Sequence, residues 1–198
     1  MDRKRTGRIK IIVISGPSGA GKTTLLKRIF LRRNIRSSFI KGISYTTRPR
    51  RRGEKDGRDY YFVDKKTFRS LIRKNFFLEY QKVLEDYYGT PKYFLNKGRL
   101  AGKDVVLCID VKGGMYLKKN VKRDKIVTLF ISAPTAEELS KRLRKRGDMA
   151  IVNKRIALAK KELQFVKVYD YLIINQNIKE ALSLLEAVLV AERLRRDR

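Results

Sequence analysis

Histidine is absent from this chain of 198 residues, which removes histidine-based catalytic triads, histidine-ligated metal sites and the usual general base at neutral pH. Any chemistry has to rest on positioning and charge stabilisation. The single cysteine, Cys108, lies in the apolar run VVLCI; it excludes an internal disulfide and reads as a buried thiol. No apolar run reaches the length of a membrane span. The basic start MDRKRTGRIK leads into a five-residue apolar stretch rather than a signal-peptide core with a cleavage site. A soluble, cytoplasmic protein with no membrane partner is therefore expected. Acidic residues are scarce, 20 against 49 Lys plus Arg, a formal charge of +29. The surplus is read mainly as solvated surface, because the basic residues are spread along the chain rather than interleaved with an exposed aromatic platform. Nucleic acid is an admissible partner on charge alone and the less favoured one. Oligomeric state is not legible in the sequence.

Turning to what is there, Ile11 to Ile14 are four β-branched apolar residues, a short buried-strand signal, and a turn follows with the spacing G-x-x-x-x-G-K-T from Gly16 to Thr23. A loop that wraps phosphates must turn successive backbone N–H groups inward. Gly16, Gly19 and Gly21 allow the necessary dihedrals and close approach, and Pro17, Ser18 and Ala20 complete the loop. Lys22 would set its ammonium on the β- and γ-phosphates of a nucleoside triphosphate, and Thr23 would offer its hydroxyl to Mg²⁺. The helix that opens at Thr23 and Thr24 adds its positive end. A glycine-rich turn alone can be a mere tight connection, but strand, full motif and helix in this order point to nucleotide phosphate binding.

Downstream, the apolar segments 104–110, 125–132 and 171–175 alternate with helical stretches near 92–100, 114–119, 135–146, 153–168 and from Ile178 onward. Strands apolar on both faces and separated by helices predict an α/β fold whose parallel sheet is covered on both sides. Residues 45–89 differ in composition. They are rich in Arg, Tyr and Gly, with strand signals at 60–63 and 77–84 and a helix capped by Asp64 carrying Phe68, Leu71 and Ile72. This reads as a mostly-β lobe inserted between core segments 1–44 and 90–198. Within it, Arg48, Arg51 and Tyr60 are crowded on a loop suited to a second phosphate.

With the P-loop in front, TTRPRRRGE, GRDYYF, FLEY, YYGTP and CIDVKGG resemble the guanylate kinase family in order and spacing over nearly the whole chain. The resemblance implies ATP-dependent phosphorylation of GMP, in a P-loop NTPase-type core with a GMP-binding insertion and a lid near residues 141–155. It implies that Arg48, Arg51, Tyr60 and Tyr88 hold the GMP phosphate, with Arg50 the alternative to Arg51. Ser44, Glu79, Thr90 and Asp110 would read guanine, whose N1–H and N2–H₂ donors suit two carboxylates and whose O6 suits hydroxyls. Arg142, Arg146 and Arg155 would join Lys22 and Arg48 in neutralising the transferring group, and Asn175 would contact adenine. Two basic phosphate sites on different lobes imply lobes that repel until anionic ligands draw them together, with hinges near Ser44 and Gly89.

The chain departs from the family pattern at two places. Only DMAIV stands where the family has a longer lid segment, and Cys108 replaces an acid two residues before Asp110, leaving Mg²⁺ to Thr23, phosphate oxygens and water. A related P-loop kinase for another phosphorylated acceptor would not need Glu79 and Asp110. A non-catalytic guanylate kinase-like binding module would not need an intact P-loop.

Overall fold

The computed structural model describes residues 9–144 and 149–195. Its elements in chain order are β1 (Ile11–Ser15), α1 (Lys22–Ile29), α2 (Arg33–Ser38), β2 (Phe39–Lys41), β3 (Tyr45–Thr46), β4 (Tyr61–Phe62), α3 (Lys65–Arg73), β5 (Phe77–Val83), β6 (Asp86–Pro91), α4 (Tyr93–Ala101) and β7 (Asp104–Cys108). There follow α5 (Val111–Asn120), β8 (Ile126–Ser132), α6 (Ala136–Arg144), α7 (Met149–Leu163), β9 (Tyr171–Ile174) and α8 (Ile178–Leu194). Five strands form a parallel sheet in the order β2-β7-β1-β8-β9. Because β1 and β8 are buried along their whole length, water can reach neither face and helices must cover both. Alternation along β1 sends Ile12 and Ile14 into a cluster with Leu25 and Ile29 of α1 and Leu185 of α8, and Val13 into one with Phe94 and Leu117. With β1 between β7 and β8, the crevice at the carboxyl ends of the central strands is where such a sheet takes a ligand.

A second sheet, β4-β3-β6-β5, is built from residues 45–91. Its hairpin β5–β6 closes on Leu84 and Glu85, with Leu84 at φ 55°, and a register shift between Phe77 and Glu79 sets Glu79 opposite Thr90. Asp64 caps α3 by accepting the Thr67 N–H at 2.6 Å, which lays Phe68 on Phe77 with ring centroids 4.6 Å apart. Beneath that stack, a Cβ on Gly89 would come within 2.9 Å of Phe77 and 3.0 Å of Phe68, so the strand needs glycine there.

Two core lysines contact the inserted lobe. Lys27 of α1 lies 2.5 Å from the buried carboxylate of Asp59, and Lys41 donates to the Arg58 carbonyl at 2.9 Å. Several boundaries also differ from the sequence reading. α2 is a separate short helix, α5 starts at Val111 rather than near Gly114, and α7 starts at Met149 rather than Asn153. Residues 149–152 of the expected connector are thus helix, and α6 packs on α7 through Leu139 and Leu143 against Ile156, Ala159 and Leu163. No helix among the described residues is long and apolar enough to cross a membrane.

Candidate active site

The loop after β1 has the geometry its glycines permit. Gly16, Gly19 and Gly21 have φ of 138°, 90° and 91°, and a Cβ on Gly16 would stand 2.0 Å from the Ile131 carbonyl oxygen. Gly21 is the N-cap of α1 and no side chain caps that helix, so its first N–H groups face the loop free of side-chain acceptors. Lys22 is turned onto the loop, donating to the Gly16 carbonyl and, at 2.9 Å, to that of Pro17. Thr23 and Thr24 are exposed on the first turn.

Across the crevice the expected guanine readers are brought together. Ser44 and Thr90 hydroxyls lie 3.1 Å apart, and Thr90 donates to Glu79 at 2.6 Å, all three side chains being buried. Asp110 caps α5 by accepting the Gly113 N–H at 2.9 Å. The expected phosphate clamp is also assembled. Arg48 Nη2 donates to both carboxylate oxygens of Glu54 at 2.8 and 3.0 Å, the Arg51 N–H donates to the same carboxylate, and the Arg48 guanidinium stands 5.5 Å from the Tyr60 ring centroid. Tyr60 and Tyr88 pack edge-on, centroids 6.0 Å apart.

One cavity of about 190 Å³ joins these groups: P-loop residues including Lys22, Thr23 and Thr24 line it together with Ser44, Arg48, Arg51, Tyr60, Glu79, Tyr88 and Asp110. Other expected residues take different positions. Asn175 does not line the cavity; its amide donates to the Ala20 carbonyl at 2.8 Å from beneath the loop, so that a Cβ on Gly21 would meet it at 2.2 Å. In this structure Asn175 is a buried strut under the P-loop. Arg142 is also away from the cavity, paired with Glu138 at 2.9 Å and donating to the Asn175 carbonyl at 3.1 Å. Arg155 lies half-buried on α7, and Arg146 lies outside the described residues.

Burial governs the acids here. It pushes Glu79 up to about 8 against the Thr90 hydrogen bond, and Glu162 to about 7 against the attraction of Lys22. Asp110 is raised for the same reason, as is the thiol of Cys108, which is half-buried at the end of β7 and lines the cavity. Burial would raise Glu54 too, but hydrogen bonds from Arg48 and Arg51 hold it below the ordinary glutamate value. Sequence reasoning gave neither Glu54 nor Glu162 a role in the site. The available signal for Glu162 was its place on the stripe of α7 that buries Val152 and Ala159, where an acid is out of character.

The family model for guanylate kinase matches residues 8–192 of this chain. The guanylate kinase of Nitrobacter winogradskyi is 41% identical over 190 residues, covering 95% of this chain and 85% of that protein. That of Caldanaerobacter subterraneus subsp. tengcongensis is 41% identical over 191 residues, 95% and 90% of the two chains. The crystal structure of guanylate kinase from Anaplasma phagocytophilum superposes with a TM-score of 0.77 at 28% identity, over 96% of this chain and 89% of that one.

Proposed function

This chain belongs to the guanylate kinase family and transfers the γ-phosphoryl group of ATP to GMP, and we propose that transfer takes place in the cavity between the P-loop and the inserted sheet. The observation that carries this reading is the junction of two sets of groups in one cavity: Lys22 and the open N-terminus of α1 on one side, Ser44, Thr90, Glu79 and Asp110 on the other. In this reading residues 45–89 form the GMP lobe, and α6 with the first turns of α7 forms the lid. ATP enters with its phosphates on Gly16 to Thr24. Lys22 exchanges the Gly16 and Pro17 carbonyls for phosphate oxygens, which balances the charge spreading over the transferring group. GMP sits with its phosphate on Arg48, Arg51, Tyr60 and Tyr88. Since Thr90 gives its proton to Glu79, the Ser44 hydroxyl is the one able to turn to guanine O6, while Glu79 and Asp110 accept from N1–H and N2–H₂.

Mg²⁺ fits as an ion arriving with the triphosphate. Among the described residues no group of three or more acids or cysteine forms a cage, whereas Thr23 and Asp110 line the cavity beside Lys22. Thr23 would hold it directly and Asp110 from a greater distance, and the ion would supply charge neutralisation. The test is a coupled assay of ADP formation with GMP, AMP, CMP and UMP. GMP should exceed AMP by ~10⁴, because adenine leaves the buried acceptors Glu79 and Asp110 unpaired. Equal turnover of AMP rejects the assignment of the guanine readers.

A further inference from the structure

Four carboxylates line the cavity: Glu54, Glu79, Asp110 and Glu162. Three have partners the reading already uses. Glu54 is held by Arg48 and Arg51, Glu79 by Thr90, and Asp110 by the N–H of Gly113. Glu162 is only 8% exposed and lines the cavity from the C-terminal end of α7, where it faces Lys22 and Asp110. Among the described residues no lysine or arginine stands within ion-pair distance of it.

Such an acid conflicts with a polyphosphate site. A triphosphate on Lys22 brings several negative charges toward two carboxylates, and one ammonium cannot balance them. A cation between acids and phosphates removes the conflict. Thr23 supplies a hydroxyl for it on the exposed first turn of α1. From β7, whose Cys108 is paired in register with Ile14 and lines the same cavity, only an uncharged thiol is offered. We infer that Glu162 is a positioning residue for the divalent cation that accompanies ATP, placing from α7 the second carboxylate that β7 lacks at Cys108. Glu162 would act together with Asp110, which lines the same cavity. Glu162 stands at the C-terminal end of α7, the helix whose first turns belong to the proposed lid, so the same contact would tie the ion to that helix.

This inference rests on the donor site at Lys22 and Thr23. It is tested by Mn²⁺ binding, followed by electron paramagnetic resonance, to the protein with a non-hydrolysable ATP analogue. Glu162→Gln keeps the size and shape of the side chain and removes the charge. It should weaken Mn²⁺ in the ternary complex by about tenfold or more. Affinities for GMP and for the metal-free analogue should not fall. Cys108→Asp placed in the Glu162→Gln protein should recover most of the Mn²⁺ affinity. Unchanged Mn²⁺ affinity in Glu162→Gln, an equal loss of GMP affinity, or no recovery in the double variant would each overturn the inference. Failure of the donor-site reading has a different signature: Lys22→Ala would then leave analogue affinity intact.

Discussion

Glu79 lets guanine recognition be read as a proton. Burial lifts its carboxyl to about 8, so in the free protein it is mostly protonated at pH 7, with the Thr90 hydroxyl opposing the shift and Asp110 adding to it. In the proposed reading guanine presents donors to this group, so GMP should bind to the ionised form. A group near 8 must then give up about 0.9 proton at pH 7 when GMP binds, and apparent affinity rises about tenfold per pH unit below 8 before levelling. The stability sign runs the other way. The folded value is raised above the ordinary 4.5, so folded protein holds the extra proton between 4.5 and 8, and stability without ligand falls as pH rises through that window. From pH 5 to pH 7 this amounts to about 2.5 kcal/mol as an upper figure. Calorimetric titration of GMP at pH 7 in buffers of different ionisation enthalpy counts the protons. Glu79→Gln should abolish the release and flatten the decline of melting temperature with pH, which separates Glu79 from Asp110. No proton released by the natural protein, or the same release by Glu79→Gln, would refute the reasoning.

Three further outcomes are expected. Lys22→Ala should abolish transfer while leaving GMP affinity within a factor of about two, and Arg48→Ala should weaken GMP by roughly ten- to hundredfold through a lost charged contact; calorimetry showing the reverse pattern rejects the two-site map. Lys27→Ala removes the ion pair to Asp59 and should lengthen the distance between α1 and the inserted sheet in paired-label measurements, an unchanged distance showing that the pair does not hold the lobe. At the amino ends of the strands Glu192, 2% exposed, receives Tyr171 at 2.6 Å and Lys10 at 3.3 Å, so Glu192→Ala leaves the buried Lys10 ammonium with a backbone carbonyl and no counter-charge and should lose about 3 kcal/mol or more in urea unfolding. A loss below about 1 kcal/mol would mean that Lys10 finds water.

The P-loop was legible because its residue types answer to geometry: Gly16 abuts a backbone oxygen of β8, and no other residue fits. The parallel sheet was legible because strands buried on both faces are continuous apolar runs. β6 was not read as a strand, since DYYGTP owes its extension to pairing with β5 and β3 rather than to any alternation of its own. The first turn of α7 was hidden for a related reason, as four residues cannot carry a helical period. The positions of the family-derived residues in the fold were legible to different degrees for a physical reason as well. Ser44, Glu79 and Thr90 meet across one hairpin and its neighbour, where register fixes who faces whom. Asn175 and Arg142 belong to different elements around the P-loop, and their hydrogen bonds to Ala20 and to each other could be found only by folding the chain.

The charge imbalance acquires a location from the same structure. Among the described residues, five carboxylates are buried, Asp59, Glu79, Asp104, Glu162 and Glu192, against only two cations, Lys10 and Arg48. Acids are the scarcer charge by 20 to 49, yet they are the ones drawn inside. Three of them sit in ion pairs, Asp59 with Lys27 of the core, Asp104 with Arg193 and Glu192 with Lys10, while Glu79 and Glu162 line the cavity. Every acid so used is lost to the surface, so the exterior is more cationic than the formal charge alone implies. The excess therefore lies outside the cavity, where salt screens it within about 8 Å at physiological ionic strength. Raising salt should accordingly slow the capture of anionic nucleotides while leaving turnover at saturation nearly unchanged, because the groups that touch the transferring phosphate are few and shielded.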